Sequence, residues 1–293
     1  MHRNLSLALA CLVVAMIFAG TGTGLGANTS SKAARDDDST PAPTQPVGRM
    51  ITLSDFGAED LAYLSIPVTP PTVGIVVVPD AYGLDDFTKL EADRLAAQGY
   101  LVLAVDIYNG RKTTDPGDLA NLIANLNAET VMKTVNAGIQ FFRESPKFRA
   151  SHVIAMGWGT GAVYVFQAAR ENKQLDGAIT FYGPVETPDH VIGKFAAPLC
   201  AVYPEDDVVT SHDEVLTFQH RMKDAGNDCE AWFVAALAGW SNPLSQNYNP
   251  GEDQEAWKVA QPFIVRIGAL PAKPETKPSI VDKAKDSFEN FFK

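Results

Sequence analysis

Ten residues, Val153 to Ala162 (V-I-A-M-G-W-G-T-G-A), have the spacing best suited to chemistry. Val153 to Met156 read as a buried strand, Gly157-Trp158-Gly159-Thr160-Gly161 as a sharp turn, and Ala162 to Arg170 as a helix. Strand, glycine-rich turn and helix are the frame in which a G-x-S-x-G or G-x-C-x-G sequence lifts a nucleophile to the tip of a sheet. Here the tip residue is Gly159, which has no side chain. What the turn can still offer is backbone. The N–H of Thr160, with that of Ala81 after an earlier strand, would make an anion pocket of the oxyanion kind.

A second group of candidates is acidic. Asp80, Asp85, Asp86, Asp106, Glu205, Asp206 and Asp207 all fall at or just after the C-terminal ends of expected strands. Read plainly, several are helix caps and solvated loop acids. Read more sharply, they rim a shallow cation or amine site with Tyr82, Trp158 and Trp240 beneath. Their spacing matches no calcium-binding loop, so no metal is expected, and no cofactor motif occurs. Among the histidines, His152 begins the elbow strand and so sits at the wrong end of it, while His212 and His220 read as surface residues. His190 lies in a proline-containing excursion, Pro184 to Pro198, that could cover a pocket and supply a relocated base. Ser241 and Ser245 have no evident base beside them.

The elements that must position these groups follow from hydrophobic periodicity. Ile51–Ser54 and Leu61–Pro67 fit two leading strands, and Val73–Val78 reads as a central strand buried on both faces. A helix with Phe87, Leu90 and Ala97 on one face ends near Gly99, before the strand Tyr100–Val105. Asp118 to Arg143 is helical in two segments, with a break near Asn127. The strands Gly177–Tyr182, Leu199–Tyr203 and Glu230–Ala235 follow the elbow. Ser211 and Glu214 make a capping box. Ala256, Ala260, Phe263 and Ile267 mark a closing helix disturbed by Pro262. This alternation predicts an α/β fold: a mostly parallel, doubly wound sheet with helices on both faces and its chemistry at the strands' C-terminal ends.

The composition, 46% hydrophobic and 20% charged over 293 residues, suits one large core at 49–268. At 1–27, His2 and Arg3 precede an apolar run and then small residues, which predicts a secretory signal peptide cut near Ala27. The run is shorter than the roughly 20 apolar residues of a spanning helix, so membrane contact is expected only before cleavage, and the product is periplasmic or extracellular. Residues 28–48 read as a disordered linker. Residues 269–293 read as a proline-rich linker and an amphipathic helix that either packs back on the domain or docks to a protein partner. The net charge of −11, one unit more negative without Arg3, argues against nucleic acid and anionic lipid as partners. Export would permit a bridge between Cys200 and Cys229; free buried thiols are the alternative.

The order V-V-V-P-D-A-Y-G-L, G-W-G-T-G, F-Y-G, P-E-D-D-V-V and A-G-W-S-N-P resembles the dienelactone hydrolase family, within the α/β-hydrolase superfamily, over roughly Met50 to Gly268. The resemblance implies an α/β-hydrolase fold and a catalytic cysteine, aspartate and histidine, with a glutamate that controls the thiol. It places the nucleophile at Gly159, the acid at Asp207 (Pro204 standing where a glycine is usual), the histidine at Ala238 and the glutamate at Asp80. A hydrogen atom cannot attack an acyl group and a methyl group cannot take a proton. The expectation is therefore an exported pseudo-hydrolase that binds a small ester-like, lactone-like or cationic ligand through the vestigial active-site pocket. An active ester or lactone hydrolase with relocated residues, and a scaffold or interaction protein, are the alternatives.

Overall fold

β-branched runs without polar interruption form the centre of the molecule. The structure, a computed structural model, describes residues 45–185, 192, 193, 195–207 and 210–273. The signal-like segment, most of the first linker, His190 and the last amphipathic stretch therefore lie outside the described residues. The strands are β1 (Arg49–Thr52), β2 (Leu61–Ser65), β3 (Val73–Val78), β4 (Leu101–Val105), β5 (His152–Trp158), β6 (Gly177–Phe181), β7 (Leu199–Pro204) and β8 (Cys229–Val234). They form one sheet in the order β1-β2-β4-β3-β5-β6-β7-β8. β1 and β2 are antiparallel to their neighbours, and every pairing from β4 to β8 is parallel. β3 through β7 are buried along their whole length, as parallel strands covered on both faces must be.

The helices are α1 (Asp86–Ala97), α2 (Pro116–Ala124), α3 (Ala128–Glu144), α4 (Thr160–Glu171), α5 (His212–Asp224) and α6 (Pro250–Gly268). α1 and α6 cover one face through Ala92, Leu95, Trp257, Phe263 and Ile267. α3, α4 and α5 cover the other through Val135, Phe142, Val165, Phe218 and Met222. The break between α2 and α3 is made by Asn127, whose side chain caps α3 by accepting from the Thr130 N–H. The Ser211–Glu214 capping box opens α5. α6 continues through Pro262, which lies on the exposed side. Cys200 and Cys229 are free. Register explains why: Cys229 stands opposite Leu199 and Cys200 opposite Glu230, so the two sulfurs point to opposite faces of the sheet.

One helix departs from its predicted face. In α1 the buried residues are Thr88, Ala92, Leu95 and Ala96 together with the charged Glu91, Asp93 and Arg94, whereas Phe87 and Leu90 are half-buried and Ala97 is exposed. Partners compensate the buried charge. The Arg94 guanidinium lies 4.0 Å over the Trp257 ring of α6 and pairs with Glu91. Asp93 accepts from Tyr63 Oη at 2.7 Å, Ser65 Oγ at 2.5 Å and the Val47 N–H at 2.8 Å. Asp93 thus pins the antiparallel leading strands to α1. Asp93→Ala would leave three donors without an acceptor, and is expected to cost about 2–4 kcal/mol in a denaturant titration. Asp93→Asn, which keeps an acceptor oxygen, should cost less.

Candidate functional site

β5 sits in the middle of the sheet and carries the glycine-rich turn at its C-terminal end. Gly159 has φ 48° and ψ −109° and is the N-cap of α4. The turn retains the strained geometry of a nucleophile elbow although its residue has nothing to present. Gly161 lets α4 begin hard against the end of β3: an added β-carbon there would lie 2.3 Å from the Val78 carbonyl oxygen and 2.4 Å from that of Pro79.

The space over the tip belongs to Tyr182, the residue after β6, itself in the left-handed region at φ 43°. A β-carbon added at Gly159 would meet Tyr182 Cε2 at 3.1 Å and Asp80 Cβ at 3.9 Å. The Tyr182 ring packs edge-on against Trp240, with centroids 4.8 Å apart. Its hydroxyl is buried with no hydrogen-bond partner among the described residues. Burial, reinforced by the negative charge of Asp80, keeps this phenol far above its ordinary range, so it is neutral at any working pH.

Beside the tip lie two buried carboxylates. Asp80 is 6% exposed and Asp85 is 4% exposed. Asp80 accepts from the Tyr82 N–H at 2.9 Å, and Asp85 caps α1 by accepting from the Thr88 N–H at 2.8 Å. Both are reached by one group, Asn242 Nδ2, at 3.1 Å from Asp80 Oδ2 and 3.5 Å from Asp85 Oδ2. Desolvation, then the charge of Asp85, pushes the Asp80 carboxyl up to about 7. Desolvation raises Asp85 as well.

The remaining candidates are placed as follows. Asp207 follows β7 and is half-buried, and Ala238 is half-buried in the loop after β8, packed against the core. Thr160 opens α4 and Ala81 follows Asp80, so their backbones flank Gly159 and Asp80. Tyr82 is half-buried beside them. Trp158 and Trp240 correct the expectation that they floor a pocket. They are 1% and 0% exposed, and Trp158 is stacked on Phe181 at 5.0 Å. Both are core residues because strand alternation and the turn at Gly239 direct them inward. Asp106 accepts from the N–H groups of Tyr108 and Gly110 and so shapes its own loop.

A groove of about 440 Å³ opens instead at the C-terminal ends of β7 and β8, lined by Glu205, Asp206, Leu237, Asn247 and Tyr248 among others. None of the described imidazoles reaches the elbow. His152 begins β5, seven residues before Gly159 and thus at the far end of the strand. His212 is stacked on Phe233 of β8 with centroids 3.8 Å apart, three strands from β5. His220 is exposed on α5.

Residues 61–267 match the family model described as the dienelactone hydrolase family. The chain belongs to that family. Among its relatives is a Bradyrhizobium protein named a probable 2-oxo-3-(5-oxofuran-2-ylidene)propanoate lactonase. It is 27% identical over 222 residues, covering 71% of this chain and 89% of the relative. A mouse carboxymethylenebutenolidase homolog is 24% identical over 198 residues, covering 64% and 79%. Similar solved structures include a dienelactone hydrolase-like promiscuous phosphotriesterase from metagenomic libraries, with TM-score 0.67, 19% identity and coverage of 75% and 98%. An esterase from Thermogutta terrifontis is also similar, with TM-score 0.57, 16% identity and coverage of 80% and 97%. At such identities the structural likeness establishes the fold.

Two buried residues beside the elbow, Asn242 and Tyr182, are not among the candidates that spacing in the sequence singles out. They lie inside the motifs A-G-W-S-N-P and F-Y-G. A buried side-chain amide and a buried phenol leave no periodic signature.

Proposed function

We propose that this protein is a dienelactone hydrolase-family member that no longer hydrolyses esters or lactones, acts after export, and binds a small amphipathic cation in the groove beside Asp207. One observation carries the loss of hydrolysis. The elbow tip is glycine, and the Tyr182 ring lies 3.1 Å from where a side chain at Gly159 would begin. With alanine at 238, the two positions where the family's nucleophile and proton acceptor fall carry neither.

The choice of ligand rests on the groove. Its volume of about 440 Å³ suits a small molecule, Glu205 and Asp206 bring negative charge, and Tyr248 and Leu237 bring exposed apolar surface. An acidic protein concentrates cations near such a rim and repels anions.

The test has two arms. The mature protein is assayed with p-nitrophenyl esters and a dienelactone, the substrate class suggested by the relatives' names, and turnover is expected to match buffer. Calorimetry with n-butylammonium and with butyrate is expected to detect only the ammonium, and Glu205→Gln/Asp206→Asn should weaken it by roughly tenfold. Turnover abolished by Asp207→Ala would overturn the loss of hydrolysis, and equal or absent binding of both ions would overturn the choice of ligand.

A further inference from the structure

β8 is the last strand of the sheet, and its outer side has no neighbour among the described residues. The carbonyls of Asp228 and Val234 accept from the Leu199 and Glu205 N–H groups at 3.0 and 2.9 Å, so the even-numbered residues turn their main chain toward β7. Alternate residues of a parallel strand turn theirs the other way. Cys229, Ala231 and Phe233 therefore hold their N–H and carbonyl groups out on the open edge. Such an edge is a template for another strand, and proteins commonly blunt it with proline, lysine or brevity. β1, the opposite edge, is only four residues long and begins with Arg49. β8 has six residues and none of those devices.

The side chains along this edge are apolar in the middle and polar at the ends. Trp232 is 47% exposed and shares its face of β8 with Val234, which packs in the core beneath α6. α6 is tied along the strand at both ends. Glu252 Oε2 accepts from the Ala235 N–H at 3.0 Å, and Arg266 pairs with Asp228 at 2.7 Å and Glu230 at 2.8 Å. The helix between these anchors spans about 21 Å and the strand from Asp228 to Ala235 about 23 Å, so α6 runs antiparallel to β8 and in step with it. Glu252, Glu255, Val259, Pro262 and Arg266 share one face of α6, which brings the half-buried Val259 and the exposed Pro262 to the level of Trp232. Glu230, the one acid on β8, is offset by Arg266 and accepts from Trp232 Nε1 at 3.4 Å. On the other face His212 already covers Phe233.

We propose that this edge receives a second copy of the chain, with the two β8 strands antiparallel about a twofold axis at Ala231, so that two sheets become one. The register follows from which groups face outward. Ala231 exchanges a pair of N–H···O bonds with its own symmetry mate, and Cys229 exchanges a pair with Phe233 of the second copy on either side of the axis. Glu230 then stands opposite Trp232 of the second copy, so an indole N–H donor meets a carboxylate acceptor twice and no two acids are directly opposed. Glu230-Ala231-Trp232 is thus its own complement, and that self-complementarity selects a second copy over a strand of unrelated sequence. The two Trp232 rings, with Val259 and Pro262 beside them, give the pairing an apolar centre inside a polar rim. The pairing depends on neither the loss of hydrolysis nor the ligand of the groove.

Sedimentation equilibrium of the mature protein over about 1–100 µM tests it, with circular dichroism to show that each variant is folded. The unaltered protein is expected to be a dimer at the upper end and to dissociate in the micromolar range, as an interface of modest area does. Trp232→Lys places a charge where the two edges meet and should weaken association at least about a hundredfold. Ala231→Pro removes an N–H that β7 does not use, so the chain should stay folded but sediment as a monomer. Met50→Lys, on the opposite edge of the sheet, should leave the dimer intact. An unaltered protein that is monomeric at about 100 µM overturns the second copy as occupant and leaves the edge to a strand from a different protein. A folded Trp232→Lys variant that dimerises as tightly as the unaltered chain also overturns it, because the dimer then uses another surface. If Ala231→Pro does not fold, the Trp232→Lys arm decides alone.

Discussion

The double variant Gly159→Cys/Ala238→His is expected to hydrolyse p-nitrophenyl acetate at least about a hundredfold faster than the unaltered protein, with each single variant contributing little. The turn already holds the elbow dihedrals, φ 48° and ψ −109°, at the end of a fully buried central strand. Asp207 stands after β7, where the resemblance expects the acid that orients an imidazole. A thiol alone at 159 lacks its base, and an imidazole alone at 238 lacks anything to activate, so the gain belongs to the pair. Two costs limit it. A side chain at this φ stores about 1–3 kcal/mol of strain. The Tyr182 ring must also withdraw by a few tenths of an ångström from a contact at 3.1 Å. Steady-state kcat/KM and mass detection of an acyl-enzyme are the measurements. A double variant no faster than the better single one would show that Gly159 and Ala238 do not face one another across a catalytic centre.

Gly161→Ala is expected to lose more than about 3 kcal/mol of stability or to fail to accumulate as folded protein. The added methyl group would be driven against two main-chain carbonyl oxygens, at 2.3 and 2.4 Å, between β3 and the start of α4. Backbone in the centre of a parallel sheet cannot yield as a side-chain tip can. Gly226→Ala is the control: nothing lies within 4 Å of its added carbon, and only the positive φ of 78° is paid for, at about 1 kcal/mol. The difference between the two denaturation midpoints isolates the close approach. Equal losses would mean that the elbow and β3 are not in contact.

Much of the sheet was legible because a strand buried on both faces writes itself as an unbroken apolar run. Val73–Val78 and the residues before Gly157 are such runs, and their structure-derived strands lie within a few residues of the periodic reading. Caps were legible for a related reason: Ser211 with Glu214 is a three-residue pattern whose hydrogen bonds are local. The inward face of α1 is not legible because it is charged, and only distant partners make that tolerable: Tyr63 and Ser65 for Asp93, Trp257 for Arg94. The inward placement of Trp158 and Trp240 is not legible, because aromatic residues beside a catalytic motif suit a binding surface and a core equally well. Which side of the turn each ring takes is decided by the packing of Phe181 and Tyr182.

The amino-acid sequence by itself determined the alternation of strands and helices, the elbow frame, and the identity of the atoms missing at Gly159 and Ala238, because all of these are local in the chain. Only the tertiary structure decided what surrounds them. Asn242 reaches Asp80 and Asp85 across separations of 162 and 157 residues, Tyr182 comes to lie over Gly159, and Cys200 and Cys229 are turned to opposite faces by strand register. Burial converts those neighbours into shifted carboxyls and unpartnered hydroxyls, and burial is a property of the assembled fold rather than of any segment of it.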